Sequence, residues 1–214
     1  MIEVRHISKS FNGVKVLHDI SATFDAGKTN LIIGQSGSGK TVLMKSIIGI
    51  HRVDEGDILY GNSNFTSMNS KEVTNLRKEI GMLFQGSALF DSMTVEENVR
   101  FPLEMFSNKP KGEWKERVDF CLNRVGLSHA AKLYPAEISG GMQKRAAIAR
   151  AIVLQPTYLF CDEPNSGLDP KTSQTIDQLI REITYESNMT TIINTHDMNS
   201  VMEIGDKVLF IHEG

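Results

Sequence analysis

The sequence predicts an α/β protein, with a mostly parallel sheet core, an antiparallel β patch at its start and a helical lobe inserted in the middle. Two observations carry this. Short apolar runs at residues 29–33, 158–161, 190–194 and 207–211 have the length and composition of buried strands. Segments of helical period stand between and among them, and such alternation implies parallel strands joined by right-handed crossovers. With 214 residues, 40% hydrophobic and 23% charged, the chain suits one domain with a sizeable core.

In chain order, residues 2–7 alternate apolar and polar, and 16–24 do so less cleanly. Asp25-Ala26-Gly27-Lys28 reads as a turn, so this region forms the antiparallel patch. Residues 29–33 read as a buried strand, followed by a glycine-rich loop and, over 41–50, apolar residues at helical spacing. From Ser70 to about Gln155 the texture is helical, with pieces at 71–79, 94–105, 113–125 and 141–154. The inserted lobe is assigned to about 86–155, and 1–85 with 156–214 form the core of the same single domain. After Pro156 the strands return, with a helix over about 171–185 between the first two.

Bulk properties exclude several function classes. A net charge of -3 supplies no broad basic field, so no nucleic-acid partner is expected. The only cysteines, Cys121 and Cys161, have no CxxC spacing and read as apolar fillers in a reducing compartment. No apolar run approaches the ~18 residues of a membrane span, and the start is no signal peptide. A membrane part, if one matters, is expected on another chain.

Gly34-Gln35-Ser36-Gly37-Ser38-Gly39-Lys40-Thr41 is a complete G-x-x-x-x-G-K-T phosphate loop between a strand and a helix. Its successive N–H groups, with those of Gly34, Ser36, Gly37, Ser38 and Gly39 foremost, can ring a phosphate at the helix N-terminus. Lys40 is expected to reach the β- and γ-phosphates, and Thr41 to offer a hydroxyl to Mg²⁺. The run 158–161 ends in Asp162 and Glu163, at the strand end that faces ligand in open parallel sheets. Asp162 is suited to orient Mg²⁺ and Glu163 to polarise an attacking water as general base. Ile138-Ser139-Gly140-Gly141-Met142-Gln143-Lys144-Arg145 opens another helix, and Ser139, Gly140 and Gly141 make a second anion-seeking start.

These motifs together resemble the ATP-binding cassette (ABC) family of P-loop NTPases, whose signature reads L-S-G-G-Q. Ile138 and Met142 depart from that pattern, whereas Ser139-Gly140-Gly141 keeps it. The resemblance covers essentially the whole chain. It implies that Gln85 is the glutamine-loop residue serving Mg²⁺ and catalysis, and that His196 is the switch histidine at the γ-phosphate. It likewise implies that Asp169 acts at a dimer interface, and that Phe11 and Val16 contact adenine, with Phe in place of the frequent Tyr. Asn165 stands where relatives often carry Thr, and relatives continue beyond Gly214 with another strand or helix.

The same resemblance implies a head-to-tail homodimer with two ATP molecules, each between one copy's phosphate loop and the other's Ser139–Gly141 turn. The expected activity is ATP hydrolysis coupled to transport, with transmembrane permease subunits as partners at the cytoplasmic face of the inner membrane. The run from Gln85 to Val99, above all Ser87-Ala88-Leu89-Phe90-Asp91, and Phe101-Pro102-Leu103, resembles ATPases of Mla-type phospholipid transporters. That adds an MCE-type lipid-binding protein to the expected partners and a lipid or hydrophobic compound as cargo. Amino acid import and lipoprotein release are the competing cargoes. Soluble cassettes are the other class, but translation factors carry two cassettes and chromosome ATPases a long coiled coil. A regulator without turnover is expected to lack Glu163 or His196, and both are present.

Overall fold

The computed structural model describes residues 1–107 and 110–214. The chain opens with β1 (Ile2–Phe11), whose alternation buries Ile2, Val4 and Ile7. It returns as β2 (Val14–Phe24), antiparallel to β1. Asn12 and Gly13 between them have φ of 50° and 81°, as a tight hairpin with right-handed twist requires. Next come β3 (Lys28–Gly34) and α1 (Lys40–Ile48). β4 (Glu55–Tyr60) and β5 (Ser63–Asn64) complete a four-stranded antiparallel sheet in the order β2-β1-β4-β5.

α2 (Ser70–Lys78), closed at its start by the Asn69–Glu72 capping box, leads into β6 (Ile80–Leu83). The helices α3 (Val95–Phe106), α4 (Lys111–Arg124) and α5 (Gly140–Ile152) follow. The chain then runs through β7 (Tyr158–Asp162), α6 (Pro170–Glu186), β8 (Thr190–Asn194), α7 (Met198–Ile204) and β9 (Lys207–Ile211). β6, β7, β8, β3 and β9 form, in that order, one sheet that is parallel throughout.

Adjacent residues on its central strands serve opposite faces. Ile32, Phe160 and Ile192 pack with α1 and the antiparallel sheet, while Leu31, Leu159 and Ile193 pack with α3 to α6. Both cysteines lie in the second cluster, fully buried; burial pushes the Cys121 thiol up to about 11. This double layer clamps the sheet and leaves the C-terminal strand ends open for a site.

The expected α/β architecture is present, with four departures in detail. β4 and β5 were not legible because Glu55-Gly56-Asp57 is polar; the strand forms through pairing with β1, where Val4 faces Ile58 and Ile2 faces Tyr60. β6 interrupts the stretch read as helical in texture from Ser70 on. It is four residues long, too short to register as a period, and contains Gly81, where a Cβ would lie 2.5 Å from the Ala151 carbonyl oxygen. α7 was missed because seven residues hardly complete two turns. The predicted 86–155 lobe includes residues 108 and 109, which lie outside the described residues.

Candidate functional site

The β3–loop–α1 unit places the glycine-rich loop at a strand end. Gly39, the residue before α1, has φ of 102°, which glycine tolerates without steric cost, and no side chain caps the helix. The first-turn N–H groups are therefore free of side-chain acceptors. Val16 and Leu17 of β2 close against this glycine: a Cβ on it would meet Leu17 Cδ2 at 3.0 Å and the Val16 carbonyl oxygen at 3.2 Å. Lys40 is 8% exposed, and its Nζ donates to the carbonyls of Gly34 at 2.8 Å and Gln35 at 3.0 Å. Ser36 and Gly37 are exposed, whereas Ser38 is buried and its hydroxyl has no partner.

β7 and β8 are paired with Asp162 opposite Asn194. Asn194 Nδ2 donates to Asp162 Oδ1 at 2.7 Å and to Thr41 Oγ1 at 3.2 Å, so one amide links the two expected metal-binding oxygens. One residue beyond Asp162, Glu163 adopts φ of 48°, held by its N–H on the Asn194 carbonyl at 2.8 Å. A left-handed non-glycine residue costs about 1–3 kcal/mol and points to a site constraint. Its carboxylate oxygen lies 2.8 Å from His196 Nδ1, and the imidazole side chain is 73% exposed while that of Glu163 is 16% exposed. The pair lines a cleft of about 450 Å³, together with Ser166, Gly167 and the buried Asp177. Burial pushes the Asp177 carboxyl above its ordinary range, reinforced by Asp197 and Glu203 and opposed by Ser200 and Asn165.

Gln85, after β6, donates from Nε2 to Ser166 Oγ at 3.3 Å, which brings the expected glutamine loop to the loop following Glu163. Asp169 caps α6, accepting from Thr172 N at 3.0 Å and Thr172 Oγ1 at 2.5 Å. The Thr172 hydroxyl and amide hold its carboxyl below the usual range. Ser139 caps α5 through a bond from Met142 N at 3.3 Å, and both Ser139 and Gly140 are exposed. The signature turn abuts α6: a Cβ on Gly141 would lie 2.6 Å from Thr172 Cγ2. Phe11 is 37% exposed, with its ring edge-on to His51 and Lys9 Nζ over its face, both outside the phosphate loop.

The donor set fits a nucleotide with a hard cation. The orphaned Ser38 hydroxyl and the uncapped α1 start suit an anionic group, and Thr41 and Asp162 offer oxygen ligands, as Mg²⁺ prefers. Sequence reasoning missed Asn194, Ser200 and Asp177. Asn165, 9% exposed, donates to Ser200 Oγ at 3.0 Å, so its departure from Thr is absorbed by a partner on α7. The signal for Asn194 was its place at the end of a predicted strand, beside Thr195-His196.

The fold and the loop define a P-loop NTPase. Residues 17–166 match the family described as ABC transporter. The chain is 40% identical over 207 residues to the probable ribonucleotide transport ATP-binding protein mkl of Mycobacterium leprae, covering 97% of this chain and 60% of that protein. It is 39% identical over 211 residues to the methionine import ATP-binding protein MetN of Clostridium tetani, covering 99% and 66%. It therefore spans about three-fifths to two-thirds of the length of these relatives. Among solved structures, it superposes on a dimeric ATP-binding cassette in a post-hydrolysis state with ADP and Pi, with TM-score 0.89, 29% identity, and 100% and 95% coverage. It also superposes on cbiO1 of Clostridium perfringens, part of the ABC transporter complex cbiONQ, with TM-score 0.92, 32% identity, and 100% and 85% coverage. The chain belongs to the ABC transporter family.

Proposed function

We propose that the chain is the ATP-hydrolysing cassette of a transporter whose membrane-crossing part is another chain, and that its cargo is a phospholipid or another hydrophobic compound. The hydrolytic reading rests on one observation. The uncapped α1 start stands beside the strand end that carries Asp162, with Glu163 hydrogen-bonded to His196. Lys40 spends its ammonium on two neutral carbonyls, and the β- and γ-phosphates of ATP are stronger acceptors for it. Glu163 aligns and deprotonates the attacking water, and His196, fixed by Glu163, contacts the γ-phosphate. Mg²⁺, held by Thr41, Asp162 and Gln85, supplies charge neutralisation on the phosphoryl oxygens when bound.

The Ser139–Gly141 turn, exposed at Ser139 and Gly140, then serves the nucleotide of a second copy, head to tail, which gives two equivalent sites. Superposition on a dimeric cassette supports this arrangement. ATP favours the closed pair, and loss of the γ-phosphate reopens it, a population shift set by differential affinity. Separate permease subunits at the cytoplasmic membrane face are supported by the likeness to cbiO1, part of the ABC transporter complex cbiONQ; no helix among the described residues is long and apolar enough to cross a membrane.

The lipid cargo, with an MCE-type lipid-binding partner, is supported by the run Ser87-Ala88-Leu89-Phe90-Asp91. In it Phe90 is exposed and packs edge-on to Phe101. Methionine import is the second reading, favoured by the MetN relatives.

The test of hydrolysis is Glu163→Gln: ATP binding persists, a dimer accumulates, and turnover falls about 10³-fold. Normal steady-state turnover in that variant rejects the assignment. The test of cargo is purification with the permease from native membranes, followed by identification of the small molecule carried. Phospholipid supports the first reading, and methionine replaces it with the second.

A further inference from the structure

The segment between β6 and α3 carries Gln85 and has almost no secondary structure of its own, so its backbone carbonyls need other partners. Most come from side chains. Lys144 of α5, 4% exposed, donates its Nζ to the Gln85 carbonyl oxygen. Arg150 of the same helix forks onto the next turn, with Nη2 on Ser87 O and Nη1 on Ala88 O, both at 2.6 Å. Ser87 and Ala88 have φ of 62° and 50°, two consecutive left-handed residues that each carry a Cβ. Such a turn is sparsely populated unless its surroundings over-determine it. Further along, the fully buried Asn98 of α3 donates to the carbonyls of Phe90, Met93 and Thr94 and accepts from Phe90 N.

The two ends of this segment are therefore fastened differently. The Asn98 end is tied to the helix that follows it directly in sequence. The Gln85 end is tied to α5, roughly sixty residues away, whose first residues are the signature turn. Lys144 also stands within electrostatic reach of Asp162 and Glu163. It is thus a cation of the signature helix placed between the glutamine turn and the catalytic strand end of its own chain.

We propose that Lys144 and Arg150 are positioning residues for Gln85, so that the helix whose first turn serves the partner copy's nucleotide also sets the glutamine turn over its own. This rests on the function proposed above and deepens it. Displacement of α5 when the dimer closes then reaches Gln85 through three hydrogen bonds to backbone carbonyls, with no need for the phosphate loop to move. Burial of the Lys144 ammonium and the paired bonds of Arg150 make the link directional, because a planar fork holds two adjacent carbonyls in one orientation.

The test compares Lys144→Met, Arg150→Gln and the conservative Arg150→Lys with the unaltered protein. Amide hydrogen exchange across residues 85–90, steady-state ATP turnover and its Mg²⁺ dependence are the readouts. Lys144→Met and Arg150→Gln are expected to speed exchange in 85–90 while leaving β7 and α6 protected. Turnover is expected to fall about tenfold with the KM for ATP within about twofold, and half-activation to need more Mg²⁺. Arg150→Lys, which keeps the charge but loses the fork, is expected to fall between.

Unchanged exchange in 85–90 overturns the proposal, and so does a loss of turnover accompanied by faster exchange throughout the chain, which marks a merely structural role. If the unaltered protein hydrolyses no ATP, the proposed function fails and not this link. The exchange pattern, which requires no turnover, then decides the link by itself.

Discussion

Two helix starts in this chain look alike on paper and differ in the fold. The start of α1 has glycine before it, no side-chain cap, a buried lysine and a buried serine hydroxyl without a partner. The start of α5 has Ser139 before it, which caps its own helix, and lies exposed. Both present backbone N–H groups to an anion. The first is enclosed by β2 and the strand ends of its own chain, which on the proposed function makes it a complete phosphate cradle. The second, capped by its own serine and exposed, is on the same proposal half a site that another molecule completes.

This contrast can be broken by experiment. The largest effect is expected from Lys40→Met, which should weaken ATP binding by dilute, monomeric protein about 100-fold, the worth of a charge-assisted contact. Ser139→Ala should leave that monomeric affinity unchanged yet lower turnover at high protein concentration on the order of tenfold. Loss of the cap itself lowers the melting temperature by about 2–4 °C. If Ser139→Ala weakened binding by the dilute chain as much as Lys40→Met, the distinction between whole and half site would collapse.

A smaller effect sharpens the comparison from the cleft behind Glu163. Burial raises the Asp177 carboxyl above the ~3.9 of an unfolded chain, so its stabilising contribution is full below that value and lost as pH rises through the folded one. At neutral pH, where an unfolded-chain aspartate is ionised, burying this carboxyl opposes the fold. Asp177→Asn should therefore raise the melting temperature by about 2–4 °C at pH 7.5, with the gap closing toward pH 4. A shift of equal size at both pH values would show that shape rather than charge is at work. Because Asp177 shares the cleft with Glu163 and His196, turnover measured in parallel tells whether relief of that charge disturbs the pair.

Most of the parallel core was legible because β3, β7, β8 and β9 each contain a short apolar run and the phosphate loop carries glycine at fixed offsets. β4 was not, since its first half is polar and its strand character comes from β1, some fifty residues earlier. β6 was hidden because Gly81 carries no strand preference; the residue is there to let the α5 backbone pass. In the site, Lys40, Thr41, Asp162 and Glu163 stood out as contiguous motifs at strand ends. Asn194 did not, because a single asparagine at a strand end completes no motif, and its role arises only when the β7–β8 register sets it opposite Asp162.

What the sequence by itself determined is therefore the chemistry held within a few residues: the phosphate loop at its helix, the acidic pair closing its strand, and the serine and glycines opening α5. Local backbone rules suffice for these, since each motif carries its own turn and helix start. Only the tertiary structure decided which of the two helix starts is enclosed, how Asn194 joins Thr41 to Asp162, and that Lys144 and Arg150 hold the glutamine turn. The physical reason is separation along the chain. These bonds link residues roughly 30 to 150 positions apart, and the sheet order and the packing of α5 against it bring them within reach.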